Sequence, residues 1–450
     1  MKRRALLSRS AAGLLLASGL GVGGSTAAPT DVSFTRDIAP ILTKKCVTCH
    51  RPEKAKGNYQ LHNFESLMKP GASQQASVKP GQPAMSELFR LLVAADADDR
   101  MPQKDDPLPK EQIALIESWI QQGAKFDGPN ATAHLTSLIT REPHPNPPTS
   151  YARPVPVAAL AFSPDGAQLA ASGYHEVTLW DASNGKLLRR VKNLPQRIQA
   201  LAWHPAGQWL AVGGGTPGQS GEITLVDATK GEVGKVLGRT IDTVMTLAFD
   251  AQGERLAAGG ADNAIRVFSM PDGKELRLIQ QHADWVLGLA FSPDGQHLAS
   301  ASRDRSARVF GLATGELEAS YMGHEAPVSG VTFSPDGKSV YSCGRDKEVH
   351  FWAAKDGKKS GEIGGAEGEL FRVLLADGQV FSCGADAQVR QHKLDDRSLV
   401  RALAGHGDRV YALAAHAPGK RLASGAHNGE VRVWNWEDGK PVAHFIAAPR

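Results

Sequence analysis

Cys46 and Cys49 stand three positions apart and His50 follows directly, in Cys46-Val47-Thr48-Cys49-His50. Two thiols at this spacing can reach two vinyl groups on one edge of a flat macrocycle. The adjacent imidazole can then swing beneath a central iron. This is the pattern of a c-type haem attachment site, with Cys46 and Cys49 as thioethers to one covalent haem c and His50 as the proximal ligand. A dithiol redox pair has no use for the histidine, and a zinc site would need a second cysteine pair. The other two cysteines, Cys343 and Cys383, are 40 residues apart, each within Ser-Cys-Gly. That repetition predicts equivalent buried positions on neighbouring repeats.

The sixth position on the iron needs a thioether or imidazole from later in the same segment, and the candidates are His62, Met68, Met85 and Met101. Met85 opens a stretch that reads as a helix start, which fits a structural role. Met101 lies in Asp99-Arg100-Met101-Pro102, an irregular stretch between two helical patterns, and is the favoured distal ligand. A site left open, or one closed by a histidine, is the alternative.

Two helices must position these groups. Residues 34–42 place Phe34, Ile38, Ile41 and Leu42 on one side of a short helix. Residues 110–122 carry Ile113, Ile116, Trp119 and Ile120 at helical spacing, with Gly123 as a stop and Pro109 suited to a first-turn position. Together with Lys56-Gly57, Pro80-Gly81-Gln82-Pro83, Ser86-Glu87-Leu88 and Arg100-Met101-Pro102, these segments resemble the planctomycete-type cytochrome c domain. The resemblance spans about residues 31–127 and implies a small all-α fold with His50 and Met101 as axial ligands. Gln103, where relatives often continue with a second proline, and Pro109, where a hydroxyl cap is usual, depart from the pattern without removing a ligand.

The chain has 450 residues and a formal charge of +4, from 51 basic against 47 acidic side chains. Lys2, Arg3, Arg4 and Arg9 account for the excess, so the body is neutral and lacks the cationic footprint of a nucleic-acid binder. Residues 1–28 read as a secretory signal: a basic start, an apolar stretch and small residues ending at Ala28. No other segment is apolar enough for a membrane span. A bacterial envelope location, periplasmic or otherwise exported, suits covalent haem attachment. Lys44, Lys45, Arg51, Lys54 and Lys56 surround the attachment motif, which reads equally as a docking ring for an acidic redox partner or as a solvated face.

Residues 129–156 hold seven prolines and read as a semi-rigid spacer between a haem domain at 29–128 and a repeat region at 157–450. In the latter, turn glycines recur at Gly166, Gly207, Gly253, Gly295, Gly337, Gly378 and Gly419, at intervals of 41 to 46 residues. Each interval offers four short alternating strands, a sheet that must stack on neighbours to bury its faces. Gly323-His324, Gly405-His406, the aspartates Asp262, Asp304, Asp346 and Asp386, and the single literal Trp180-Asp181 pair resemble the WD-repeat family. Repeat six is the most degenerate. The resemblance implies a seven-bladed β-propeller whose histidines and aspartates form structural networks within blades. The strand at residues 441–446 reads as completing blade seven, with closure by strand exchange left open. Arg303, Arg305, Arg345 and Lys347 fall in equivalent turns and could share one rim.

The sequence thus describes a multidomain protein: a small all-α cytochrome c-like domain, then an all-β seven-bladed WD-repeat propeller. The expected function is single-electron transfer, with the propeller as a docking platform for an unknown protein partner. The alternative is a non-redox interaction or haem-sensor scaffold. A propeller oxidoreductase is less favoured, because haem enzymes joining a cytochrome to a propeller resemble eight-bladed folds with a second cofactor.

Overall fold

The computed structural model describes residues 31–47, 49–50, 55–103, 106–138 and 143–448. The signal reading at residues 1–28 lies outside them, as do Arg51 and Lys54 of the basic ring.

The first helical unit begins with a π-helical turn, Phe34–Ile38, that runs into α1, Ala39–Lys45. Ser33 caps the turn by accepting the Arg36 N–H at 3.0 Å. Phe34, Ile38 and Leu42 are fully buried and Ile41 nearly so, so the face read from the sequence is the face that packs. Short helices α2, Phe64–Leu67, and α3, Glu87–Leu92, follow. Next comes α4, Lys110–Gln121, burying Ile116, Trp119 and Ile120. Pro109 is the N-cap residue of α4 and stands outside its first turn. Gly123 ends the helix at φ +99°, a conformation that excludes most side chains. Phe34 is the hub of the core, with its ring 5.4 Å from Trp119 and 4.9 Å from Phe64.

The proline-rich stretch, read as a spacer, is anchored at several of its described residues. In α5, Leu135–Leu138, both terminal leucines join the core of the helical unit, which therefore reaches Leu138. The Leu135 N–H donates to the His62 carbonyl at 2.8 Å. Further on, the Tyr151 hydroxyl donates to Glu176 at 2.7 Å, and Arg190 holds the carbonyls of Pro148 and Thr149. Helix α5 also touches the strand Glu232–Thr240, so the helical unit leans on the second sheet of the repeat region.

Seven antiparallel sheets follow, each made of four consecutive strands, spanning residues 160–191, 197–240, 244–279, 286–321, 328–363, 370–403 and 410–446. The first strand of each is innermost and meets the first strands of its neighbours. The buried apolar residues of these sheets fall into seven clusters, and each straddles one junction between adjacent blades. A sheet with both faces apolar is stable only between two others, and the ring supplies both neighbours.

The ring closes without strand exchange, because the fourth strand of blade seven, Pro441–Ile446, pairs with Glu430–Asn435. The seam is sealed by side chains of blades one and seven, among them Leu160, Trp180, Ala423 and Val433, and by Val157 donating to the Ala426 carbonyl at 3.1 Å. Trp180 stacks on Phe445 with centroids 4.5 Å apart. Six of the seven turn glycines have positive φ, and in blade seven that conformation passes from Gly419 to Lys420 at φ +51°.

Candidate functional site

A cavity of about 410 Å³ opens in the helical unit, and Cys46, Cys49, His50 and Met101 all line it. Residues brought together from positions 46 and 101 owe this to the two ends of the segment. Helix α1 delivers Cys46 at its C-cap, with the Cys46 N–H bonded to the Leu42 carbonyl at 2.9 Å. The turn continues through Cys49 and His50, whose N–H groups both donate to the Cys46 carbonyl. On the far side, the Met101 N–H donates to the Leu91 carbonyl at 2.9 Å, anchoring the loop to the end of α3.

The remaining candidates for a sixth ligand lie elsewhere. Met85 is 59% exposed in a 3-10 turn. Met68 packs against the core of the helical unit, and His62 lines a separate cavity between that unit and blades two and three.

Local electrostatics prepare the histidine as a neutral donor. Burial lowers the His50 imidazole below its usual range, outweighing the hydrogen bonds to the Tyr59 and Lys56 backbone. The His50 Nδ1 lies 3.2 Å from the Tyr59 carbonyl oxygen. A carbonyl only accepts, so Nδ1 carries the proton and Nε2 keeps its lone pair. Burial also pushes the Cys46 thiol up to about 12, which keeps it protonated.

The walls suit a flat apolar group. Leu61, Leu88, Leu91 and Leu92 line the cavity. Gly71 allows a close approach: a Cβ there would sit 3.0 Å from both the Gly57 carbonyl oxygen and the Tyr59 Cβ. Tyr59 turns its ring edge toward His50 at 5.5 Å and anchors its hydroxyl on the Leu67 carbonyl at 2.9 Å. The volume falls within the range of cofactor pockets, and two thiols, an imidazole and a thioether are the donors that haem iron and its vinyl groups take. The residues present therefore fit a haem. Tyr59 and Gly71 had no signal in the sequence, since neither belongs to a recognisable spacing.

Of the basic ring, Lys45 and Lys56 line the cavity mouth and Lys44 is exposed beside them. Two of the four basic residues at the propeller turns face acids. Arg303 pairs with Asp284 at 3.3 Å and stacks on Trp285, and Arg345 faces Glu369 at 3.9 Å.

Three of the propeller's histidines, His282, His324 and His406, are committed within their own blades. In blade five His324 joins Asp346 at 2.6 Å and the Ser342 hydroxyl at 2.8 Å, and Trp352 donates to that hydroxyl at 3.1 Å. Blade four repeats the arrangement through His282, Asp304 and Ser300, and blade seven through His406, Ser424 and Trp434. In blade seven the acid is Glu430, two residues beyond the turn position filled by Asn428. Cys343 and Cys383 end equivalent second strands as free, buried thiols. Among the described residues no helix is long and apolar enough to cross a membrane.

Comparison with known families agrees with this division. The Planctomycete cytochrome C family matches residues 46–105. The WD domain, G-beta repeat family matches residues 149–181, 234–269, 273–310, 315–353 and 397–435. Residues 182–233 and 354–396 fall outside the repeat matches, yet they hold most of blade two and the first three strands of blade six. A search of curated proteins found no match.

Proposed function

Because the chain joins a planctomycete-type cytochrome c domain to a seven-bladed WD-repeat propeller, we propose that it is an exported electron carrier. One covalent haem c would be held by Cys46 and Cys49 as thioethers, with His50 and Met101 supplying the donors to its iron. The supporting observation is that these four side chains line one cavity while His62, Met68 and Met85 do not. When bound, the haem would supply a one-electron iron couple.

The chain's own residues do the rest. Tyr59 fixes the His50 tautomer through its carbonyl, so that Nε2 keeps its lone pair. The leucine walls exclude water and lower the local dielectric, which favours the less charged state of a bound metal centre. Leu91 holds Met101 in place through the backbone. With His50 and Met101 both holding the iron, no position would be left for a substrate, and the activity would be outer-sphere electron exchange. Lys44, Lys45 and Lys56 around the mouth would steer an acidic redox partner. The propeller would serve as the protein-docking platform. Covalent haem attachment occurs outside the bacterial cytoplasm, which supports a periplasmic or otherwise exported location in the envelope.

Expression in a host able to attach c-type haem tests this reading. A low-spin c-type spectrum that responds to ascorbate or dithionite is expected, and protein that emerges colourless with both thiols free would overturn it.

A further inference from the structure

Blade five differs from its neighbours at one register position. The second residue of the shared third-strand pattern is Arg266, Arg308, Arg390 and Arg432 in blades three, four, six and seven. Each of these arginines reaches an acid, at 2.8, 3.8, 2.7 and 2.6 Å respectively. Blade five has His350 there, in Val349–Ala353. The residue opposite it on the fourth strand is Glu362, where the four other blades have Leu278, Ser320, Ala402 and His444. An acid has replaced a neutral neighbour in the same blade in which the cation was replaced by an imidazole.

The surroundings immobilise that imidazole. Its ring stacks on His324 with centroids 4.1 Å apart and an interplanar angle of 9°. His324 is itself pinned by Asp346 and Ser342. The Tyr321 hydroxyl meets His350 Nδ1 at 2.7 Å, and Glu348 meets Nε2 at 2.7 Å. The His350 side chain is 3% exposed, whereas Glu348 and Glu362 are 38% and 48% exposed. One ring nitrogen and one oxygen from each carboxylate lie within 4.8 Å of one another. A rigid, buried imidazole thus faces two mobile carboxylates at the surface.

We propose that His350, Glu348 and Glu362 form a binding site for a divalent cation of the zinc class. One imidazole and two carboxylates are a borderline donor set that suits zinc, with the open position left to water. Zinc bonds of about 2.0 to 2.1 Å need ligand atoms about 3.3 Å apart. The Glu348 oxygen, 2.7 Å from Nε2, draws back and Glu362 adjusts within the 4.8 Å cluster, side-chain rotations that move no strand. On binding, the neutral imidazole changes tautomer: Nε2 releases its proton to solvent as it takes the metal, and Nδ1 takes one proton up from solvent. The Tyr321 oxygen can accept that proton's hydrogen bond, as the outer partner of a metal-bound imidazole must. Lys359, now paired with Glu362, is displaced by the cation and returns to solvent. His324 faces the blade interior with both nitrogens engaged and takes no part.

Zinc titration of the full-length mature chain, followed by calorimetry and by metal content after dialysis, tests the site. The expected result is one tight equivalent of zinc in the wild type. His350→Arg, which restores the residue of the other blades, and Glu362→Gln, at an exposed position that leaves the fold intact, should each weaken binding at least tenfold. Tyr321→Phe should weaken it about tenfold. Wild-type protein that binds no zinc, or a Glu362→Gln variant with wild-type affinity, would overturn the proposal. Haem content serves as an independent readout and should not change in any variant.

Discussion

The Nδ1 nitrogen of His50 lies 3.2 Å from the carbonyl oxygen of Tyr59, nine residues further along the chain. That hydrogen bond uses a main-chain acceptor that no side-chain substitution at Tyr59 removes. It fixes which nitrogen can serve a metal and does so before any metal arrives. The consequences can be measured one at a time.

Met101→Ala should leave covalent haem in place, because the thioethers and His50 are untouched. The ferrous protein should then bind carbon monoxide rapidly, the low-spin spectrum should be lost, and the reduction potential should fall, since a methionine ligand raises it. A low-spin spectrum that survives the substitution would move the sixth ligand elsewhere.

Ser342→Ala removes the hydroxyl shared by His324 Nε2 and Trp352 Nε1, both of which are buried. Two orphaned polar groups should cost about 3 kcal/mol, read from the midpoint of chemical denaturation followed by tryptophan fluorescence. Haem content should be unchanged.

Stability should depend on acid through His406. Burial lowers its imidazole to about 4, against the opposing pull of Glu430. In the unfolded chain the same group titrates near its ordinary value of about 6.5, so the unfolded state binds the extra proton between these limits. The contribution is fully present above pH 6.5 and is lost progressively as the pH falls toward 4, amounting to about 3 kcal/mol. His406→Gln should lower stability at pH 7 and flatten this slope, as thermal melts across the range would show.

Lys44→Glu and Lys56→Glu reverse two exposed charges beside the cavity mouth. Reduction by an acidic donor protein at low ionic strength should slow by roughly tenfold, and the difference should shrink as salt is added. Equal rates at all ionic strengths would assign these lysines to an ordinary solvated face.

Legibility in the sequence followed the range of the interactions concerned. Cys46, Cys49 and His50 are adjacent, so their chemistry is written locally. The turn glycines mark the blades because each one satisfies a local backbone demand. Choosing Met101 over Met85 or His62 requires knowing where a loop folds back, and only the cavity brings positions 46 and 101 together. Blade six was hard to read because its network is gone: Ala366 and His392 stand where blade five has His324 and Trp352, and Asp386 turns to Arg390 at 2.7 Å. Seven prolines predicted an extended segment but could not say that Leu135 and Tyr151 would anchor it, since both contacts depend on distant partners. The closure of the ring was equally out of reach, because it is carried by side chains packed across a seam.

Covalency is the most direct test of the account. Purified holo-protein is denatured and shaken with acidified organic solvent, and the location of the colour is read by absorbance. The account predicts that haem stays with the polypeptide in the wild type and is lost from a Cys46→Ala/Cys49→Ala variant. Haem that passes from the wild type into the organic phase would contradict it.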